Sequence, residues 1–280
     1  MIVIGFFIVL ATMSSVVTLI VYRLAYSPHA KSHLPEMNPE FGSAKRFYFY
    51  GAAFVSLIIA SNGIIQIGVS VLDAIFSTVL LVDTRLAVGL SLVIVGIPLW
   101  WVHWRTISRQ IMEVPAESQS LIRKIHLYIV LGISVATGIP SAILSLTFLF
   151  GDTDFDPYHW IALVVWGLIW IFHWRFENNW PTSGTQTVRR IYIYITSACL
   201  LSVSAFAAGS ILQTIFKHLY LLVIDRSLII PASDGLWLEL TGGSLAAVIC
   251  TTPIWAAHWL YLTRGDHESV LRQIYLYGFA

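Results

Sequence analysis

Arg189-Arg190-Ile191-Tyr192-Ile193-Tyr194 opens a stretch that meets no further charged residue before Lys217. About 20 helical residues cross a hydrocarbon core of about 30 Å, so this stretch reads as a transmembrane helix. The same opening recurs as Lys45-Arg46-Phe47-Tyr48-Phe49-Tyr50, Arg123-Lys124-Ile125-His126-Leu127-Tyr128 and Arg272-Gln273-Ile274-Tyr275-Leu276-Tyr277. After each of the first three copies in the chain comes a second apolar segment, ending in Trp-x-x-His-Trp. Repetition of this kind marks a chain built from two-helix units.

The composition agrees. Of 280 residues, 57% are hydrophobic and 11% are charged, against about a quarter charged in a soluble domain. Seven complete spans are predicted: Ile2 to Tyr22, Phe47 to Leu72, Leu86 to Trp104, Leu127 to Phe150, Tyr158 to Trp174, Ile191 to Phe216 and Leu240 to Leu262. A partial eighth begins at Ile274 and stops at Ala280, which leads us to expect that the natural chain continues. Continuous apolar runs favour helices over barrel strands, whose apolar residues alternate over about ten positions. The expected fold is an all-α integral membrane protein of parallel two-helix repeats.

Lys and Arg are retained on the cytoplasmic side of membrane proteins. Arg23, Lys31, Lys45, Arg46, Arg105, Arg109, Arg123, Lys124, Arg175, Arg189, Arg190, Arg264 and Arg272 fall on one side, and Arg85, Lys217 and Arg226 on the other. This asymmetry predicts a multi-pass protein with its N-terminus outside and these basic loops in the cytoplasm. The organisation read from it is an N-terminal anchor over 1–25 and a cytoplasmic linker over 26–44. Repeats follow over 45–122, 123–188 and 189–271, with the truncated start of a fourth over 272–280. The first segment lacks the basic leader and small-residue cleavage site of a secretory signal. A formal charge of +1 carries no nucleic-acid footprint. Cys199 and Cys250 lie inside spans, without neighbours at zinc spacing.

The second motif reads Trp100-Trp101-Val102-His103-Trp104, Trp170-Ile171-Phe172-His173-Trp174 and Trp255-Ala256-Ala257-His258-Trp259. Four readings apply to it. One is an aromatic belt at headgroup level. Another is a latch, in which each histidine bonds a Tyr or carbonyl of the next helix. In a third, His103, His173 and His258 are axial ligands of a haem or bacteriochlorophyll, as helix histidines can be. In the fourth, Arg105 and Arg175 grip lipid phosphates. The structural and interfacial set is Trp100, Trp104, Trp170, Trp174, Trp255 and Trp259, with Tyr50, Tyr128, Tyr194 and Tyr277, and Arg46, Arg123, Arg190 and Arg272.

Gly51, Gly63 and Gly68, like Ser202, Ser204 and Gly209, are expected at helix contacts, where small residues let backbones approach. Pro98, Pro140 and Pro253 are expected to kink their helices. Asn62 and Gln66 share a face, suggesting an interhelical hydrogen bond or, in a small-solute transporter, a substrate contact. Asp152, Asp154 and Asp156 resemble a calcium loop, but its sixth position is not glycine and Leu163 stands at the twelfth. Asp156 before Pro157 reads as a helix N-cap. No Walker loop, Ser-His-Asp set, HExxH or catalytic carboxylate pair occurs, so no catalytic residue is assigned.

The pairing of Arg-x-Ile-Tyr-x-Tyr with Pro-x-Trp-x-x-His-Trp resembles a domain of unknown function found in tandem in polytopic membrane proteins of Chloroflexota. The resemblance covers about residues 44 to 280. It implies a bacterial inner membrane and tandem two-helix units, and brings no catalytic residues. The expectation is a non-enzymatic subunit or scaffold in contact with the bilayer and with other membrane subunits, possible in a photosynthetic or respiratory complex. A pigment- or haem-binding accessory protein and a small-solute transporter are the alternatives.

Overall fold

The computed structural model describes residues 39–76, 84–178, 186–223, 236–266 and 269–279. Among these there are seven α-helices and no strand. They are α1 (Pro39–Phe76), α2 (Thr84–Glu113), α3 (Leu121–Leu149), α4 (Pro157–Asn178), α5 (Gln186–Val223), α6 (Leu236–Ala257) and α7 (Val270–Phe279). A 3₁₀ turn, Pro115–Gln119, separates α2 from α3, and α6 runs into a π-helical turn at His258–Leu262. Six helices, α1 to α6, are long and apolar enough to cross a membrane. The span expected over Ile2 to Tyr22 and most of the proline-containing linker lie outside the described residues.

The chain divides into two compact units, 1–126 and 127–280. In the first, α1 and α2 form an antiparallel hairpin, since positions rising along α1 meet positions falling along α2. His103 lies against Tyr48, Gly96 against Ala60, Gly89 against Gly63, and Arg85 bonds Asp73 at 3.0 Å. Glycine permits this approach. A Cβ on Gly63 would lie 2.9 Å from the Gly89 carbonyl oxygen, and one on Gly96 would lie 2.6 Å from the Ala60 nitrogen.

Gly63 therefore acts as the small-residue rule expects. Gly51 and Gly209 do not, because a side chain there would meet open space. Composition alone cannot say which face of a helix a glycine occupies.

The second unit repeats the antiparallel pairing. Tyr128 of α3 meets Glu177 of α4, and Phe148 meets Trp160. Tyr192 of α5 meets His258, and the Ser204 hydroxyl lies 2.6 Å from that of Thr252. The turn after α3 is closed by Gly151 at φ 80°, with the Asp152 amide reaching back to the Thr147 carbonyl at 3.2 Å. That i to i−5 bond with a left-handed glycine is a Schellman ending. Asp152 then accepts the Gly243 amide at 3.1 Å, tying the turn to α6. The Asp156 carboxylate accepts the Tyr158 amide at 2.9 Å, the N-cap its sequence predicts.

Pro98, Pro140 and Pro253 lie inside α2, α3 and α6. Only α6 changes its winding nearby, in the π-helical turn that begins at His258. Each proline leaves one carbonyl of the preceding turn without its helical donor.

Candidate functional site

The basic-aromatic run lies within a helix in all four copies, a few residues past the first, because the helices begin at Pro39, Leu121, Gln186 and Val270. In helical geometry the second and sixth positions of the run are four apart and share a face. Arg46 is thereby placed beside Tyr50 and Arg190 beside Tyr194. The third position faces outward in every copy, with Phe47, Ile125, Ile191 and Ile274 exposed. Ile129 and Ile195, one turn on, extend that apolar stripe. By contrast Tyr50, Tyr128 and Tyr194 are buried, which an aromatic belt facing lipid headgroups does not explain.

What those tyrosines meet is an acidic residue downstream of Trp-x-x-His-Trp. Tyr128 donates to Glu177 at 3.1 Å, and Tyr194 donates to Asp266 at 2.9 Å. Tyr50 lies within electrostatic reach of Glu117, Arg123 and Arg46. The second position of the run also holds the acid, through Arg46 to Glu117 at 2.6 Å and Arg190 to Asp266 at 2.9 Å.

The first basic residue of the next copy closes each cluster. Arg123, with no exposed surface, donates to the Ser118 carbonyl at 2.8 Å. Arg189 acts electrostatically on Tyr128 together with Glu177. Arg272 reaches the Thr263 and Asp266 carbonyls at 3.3 and 3.4 Å and lies over the Trp259 ring. Two carboxylates, Glu177 and Asp266, are thus gripped by the tyrosine of their own repeat, Glu117 lies near Tyr50, and an arginine of the next copy belongs to each cluster.

The three acids were missed in the sequence because topology is read from Lys and Arg. They also follow their histidines at unequal distances, Glu117 after His103, Glu177 after His173 and Asp266 after His258. The available signal was an acid lying on the basic side of the membrane in every repeat.

Aromatic contacts join the same partners. The sixth position of each run packs on the fourth position of the next copy, in Tyr50–His126, Tyr128–Tyr192 and Tyr194–Tyr275, at ring separations of 5.4, 5.4 and 5.9 Å. Trp170 donates its indole N–H to the Tyr192 hydroxyl at 3.1 Å, and Trp255 donates to Tyr275 at 2.9 Å. His126 takes this place in the second copy, against the Trp104 ring. Within the motif the two tryptophans are four apart and stack, Trp100 on Trp104 and Trp170 on Trp174.

A latch between helices therefore exists, but it is formed by tryptophan rather than histidine. Each histidine bonds its own helix instead: the Nδ1 atoms of His103, His173 and His258 lie 2.7, 2.8 and 2.9 Å from the carbonyls of Leu99, Ile169 and Ile254. A carbonyl only accepts, so Nδ1 carries the proton and Nε2 the lone pair. That tautomer is the one a metal-ligating histidine uses. The Nε2 atoms of His103 and His258 are, however, enclosed by the chain's own atoms and form no hydrogen bond among the described residues. A planar macrocycle needs an open face there, so the side chains as packed do not fit one. Among the described residues there is also no group of three metal-ligating side chains.

Several expected residues stand apart from these clusters. Tyr277 is 84% exposed. Asn62, expected to bond another helix, donates to the Ile58 carbonyl of its own at 2.8 Å, from an exposed position. Arg105 lies over the exposed Trp101 ring.

No curated protein and no solved structure matches the chain. A family model does match, over residues 46–157 and 190–280, and each matched segment opens on the second residue of a basic-aromatic run, Arg46 and Arg190. The interlocked motifs thus lie largely within the matched segments, and the chain belongs to the family described as a domain of unknown function (DUF5671).

Proposed function

We propose that the chain is a non-enzymatic integral membrane subunit or scaffold, assembled with other membrane subunits in a bacterial inner membrane. The observation that carries this reading is where the motif side chains go. Their polar groups engage one another inside the chain and bring no reactive pair together. The outward faces are apolar instead: Ile94 on α2, Val164 on α4, and Ile195 and Phe206 on α5 are exposed. Such faces suit lipid and the helices of partner subunits, because association in lipid relies on close packing.

Solubilisation in a mild detergent is expected to release the chain in a complex larger than itself, with other polytopic subunits present in fixed ratio. A monodisperse single chain without partners would contradict this reading. A Soret or red absorption band in the same fraction would point instead to a pigment or haem accessory protein, which the enclosed Nε2 atoms of His103 and His258 speak against.

The lopsided distribution of Lys and Arg supports an N-terminus outside and the acid-tyrosine-arginine clusters at the cytoplasmic face. A reporter active only in the cytoplasm, fused after Gln110, is expected to be active. A silent fusion would reverse the orientation.

A further inference from the structure

A cleft opens within the second unit between the first turns of α5 and the turn that follows the π-helical segment. Arg189, Arg190 and Tyr194 line one wall, and Thr263, Gly265 and Asp266 the other. We propose that this cleft binds a phosphate group, carried by an anionic lipid headgroup or free in solution.

Charge is the first support. Two guanidiniums, Arg189 and Arg190, line the cleft with one carboxylate, Asp266; Glu177, outside the lining, acts together with Arg189 on Tyr128. Arg264, exposed on the same turn, adds to the excess. Asp266 is held by Arg190 at 2.9 Å and by the Tyr194 hydroxyl at 2.9 Å, which leaves the surplus at Arg189. A guanidinium presents a planar fork of donors that matches phosphate oxygens.

Exposure is the second support. The equivalent residue of the preceding copy, Arg123, is fully buried and bonded to the Ser118 carbonyl. Arg189 is exposed. It also lies near one end of Thr187–Tyr220, a stretch long and apolar enough to cross a membrane. The exposed side chains of Ile191 and Ile195 follow it along the helix, where an acyl chain could lie beneath its headgroup.

Modification of Arg189 by phenylglyoxal, followed by peptide mass mapping of the full chain, tests this. In nanodiscs of phosphatidylglycerol the reaction is expected to be about fivefold slower than in phosphatidylcholine, the ratio one arginine gains from an anionic headgroup. Arg109, which pairs with Glu113, serves as the reference and is expected to react alike in both. In lipid-depleted detergent, slowing by inorganic phosphate would identify a site open to the free ion, and slowing by the lipid alone would identify the headgroup. Equal rates at Arg189 under all conditions would overturn the proposal. The outcome does not depend on whether partner subunits co-purify.

Discussion

Gly96→Leu is expected to keep α1 and α2 from closing and to leave little folded protein. Any side chain there begins with a Cβ atom 2.6 Å from the Ala60 nitrogen and 2.9 Å from its Cα. Both are backbone atoms in the middle of a helix, so no rotamer change relieves the overlap, and the helices must separate along their length. Overpacking of ordinary cores costs about 1–3 kcal/mol. Here the cost extends to the neighbouring close approach of Gly63 to Gly89, which shares the same interhelical distance. Gly51→Leu provides the contrast, because nothing lies within 4 Å of its added Cβ. Yield of monodisperse protein and thermal unfolding in detergent measure both. A Gly96→Leu protein that melts with the wild type would mean that α1 and α2 do not pack through this face.

Glu117→Ala is the second large effect expected. Glu117 sits in the short turn between α2 and α3, with its side chain 7% exposed. It accepts the Arg46 Nε–H at 2.6 Å and lies beside Tyr50, close to the fully buried Arg123. Removing it leaves two cations in one cluster with their carboxylate gone. Breaking a buried ion pair by deleting one partner costs about 3–5 kcal/mol, because the other charge stays desolvated. Arg46 is 39% exposed and can turn to water, so about 2–3 kcal/mol is expected. Glu117→Gln should recover part of the loss, since its amide oxygen still accepts the Arg46 donor. An unfolding midpoint for Glu117→Ala indistinguishable from the wild type would show that the turn is held by other contacts.

Hydropathy made the six described spans legible, because lipid leaves a helix no alternative to a long apolar run. The repeated motifs were legible too, as sequence. Their use was not. Alternating Ile and Tyr in Ile191-Tyr192-Ile193-Tyr194 gives no hint that both tyrosines are buried while Ile191 and Ile195 face outward, because a helix lying between two neighbours covers two of its sides. The tryptophan and histidine roles were exchanged for a related reason. A histidine four residues beyond a carbonyl on its own helix finds a partner at once, whereas the longer indole of Trp170 or Trp255 reaches the next helix. Glu117, Glu177 and Asp266 escaped notice because their loops differ in length, so the clusters recur in space without recurring at fixed spacing.

The common thread is that each two-helix repeat is closed by an acid clasped between arginine and tyrosine, and a double-mutant cycle on Arg46 and Glu117 tests this most directly. Thermal or denaturant unfolding would be followed for the wild type, Arg46→Ala, Glu117→Ala and the double variant. Coupled partners are expected to show an interaction energy of about 1–2 kcal/mol, within the range for residues in one network. Strictly additive losses would contradict the account, leaving Arg46 and Glu117 as neighbours that do not hold the repeat together.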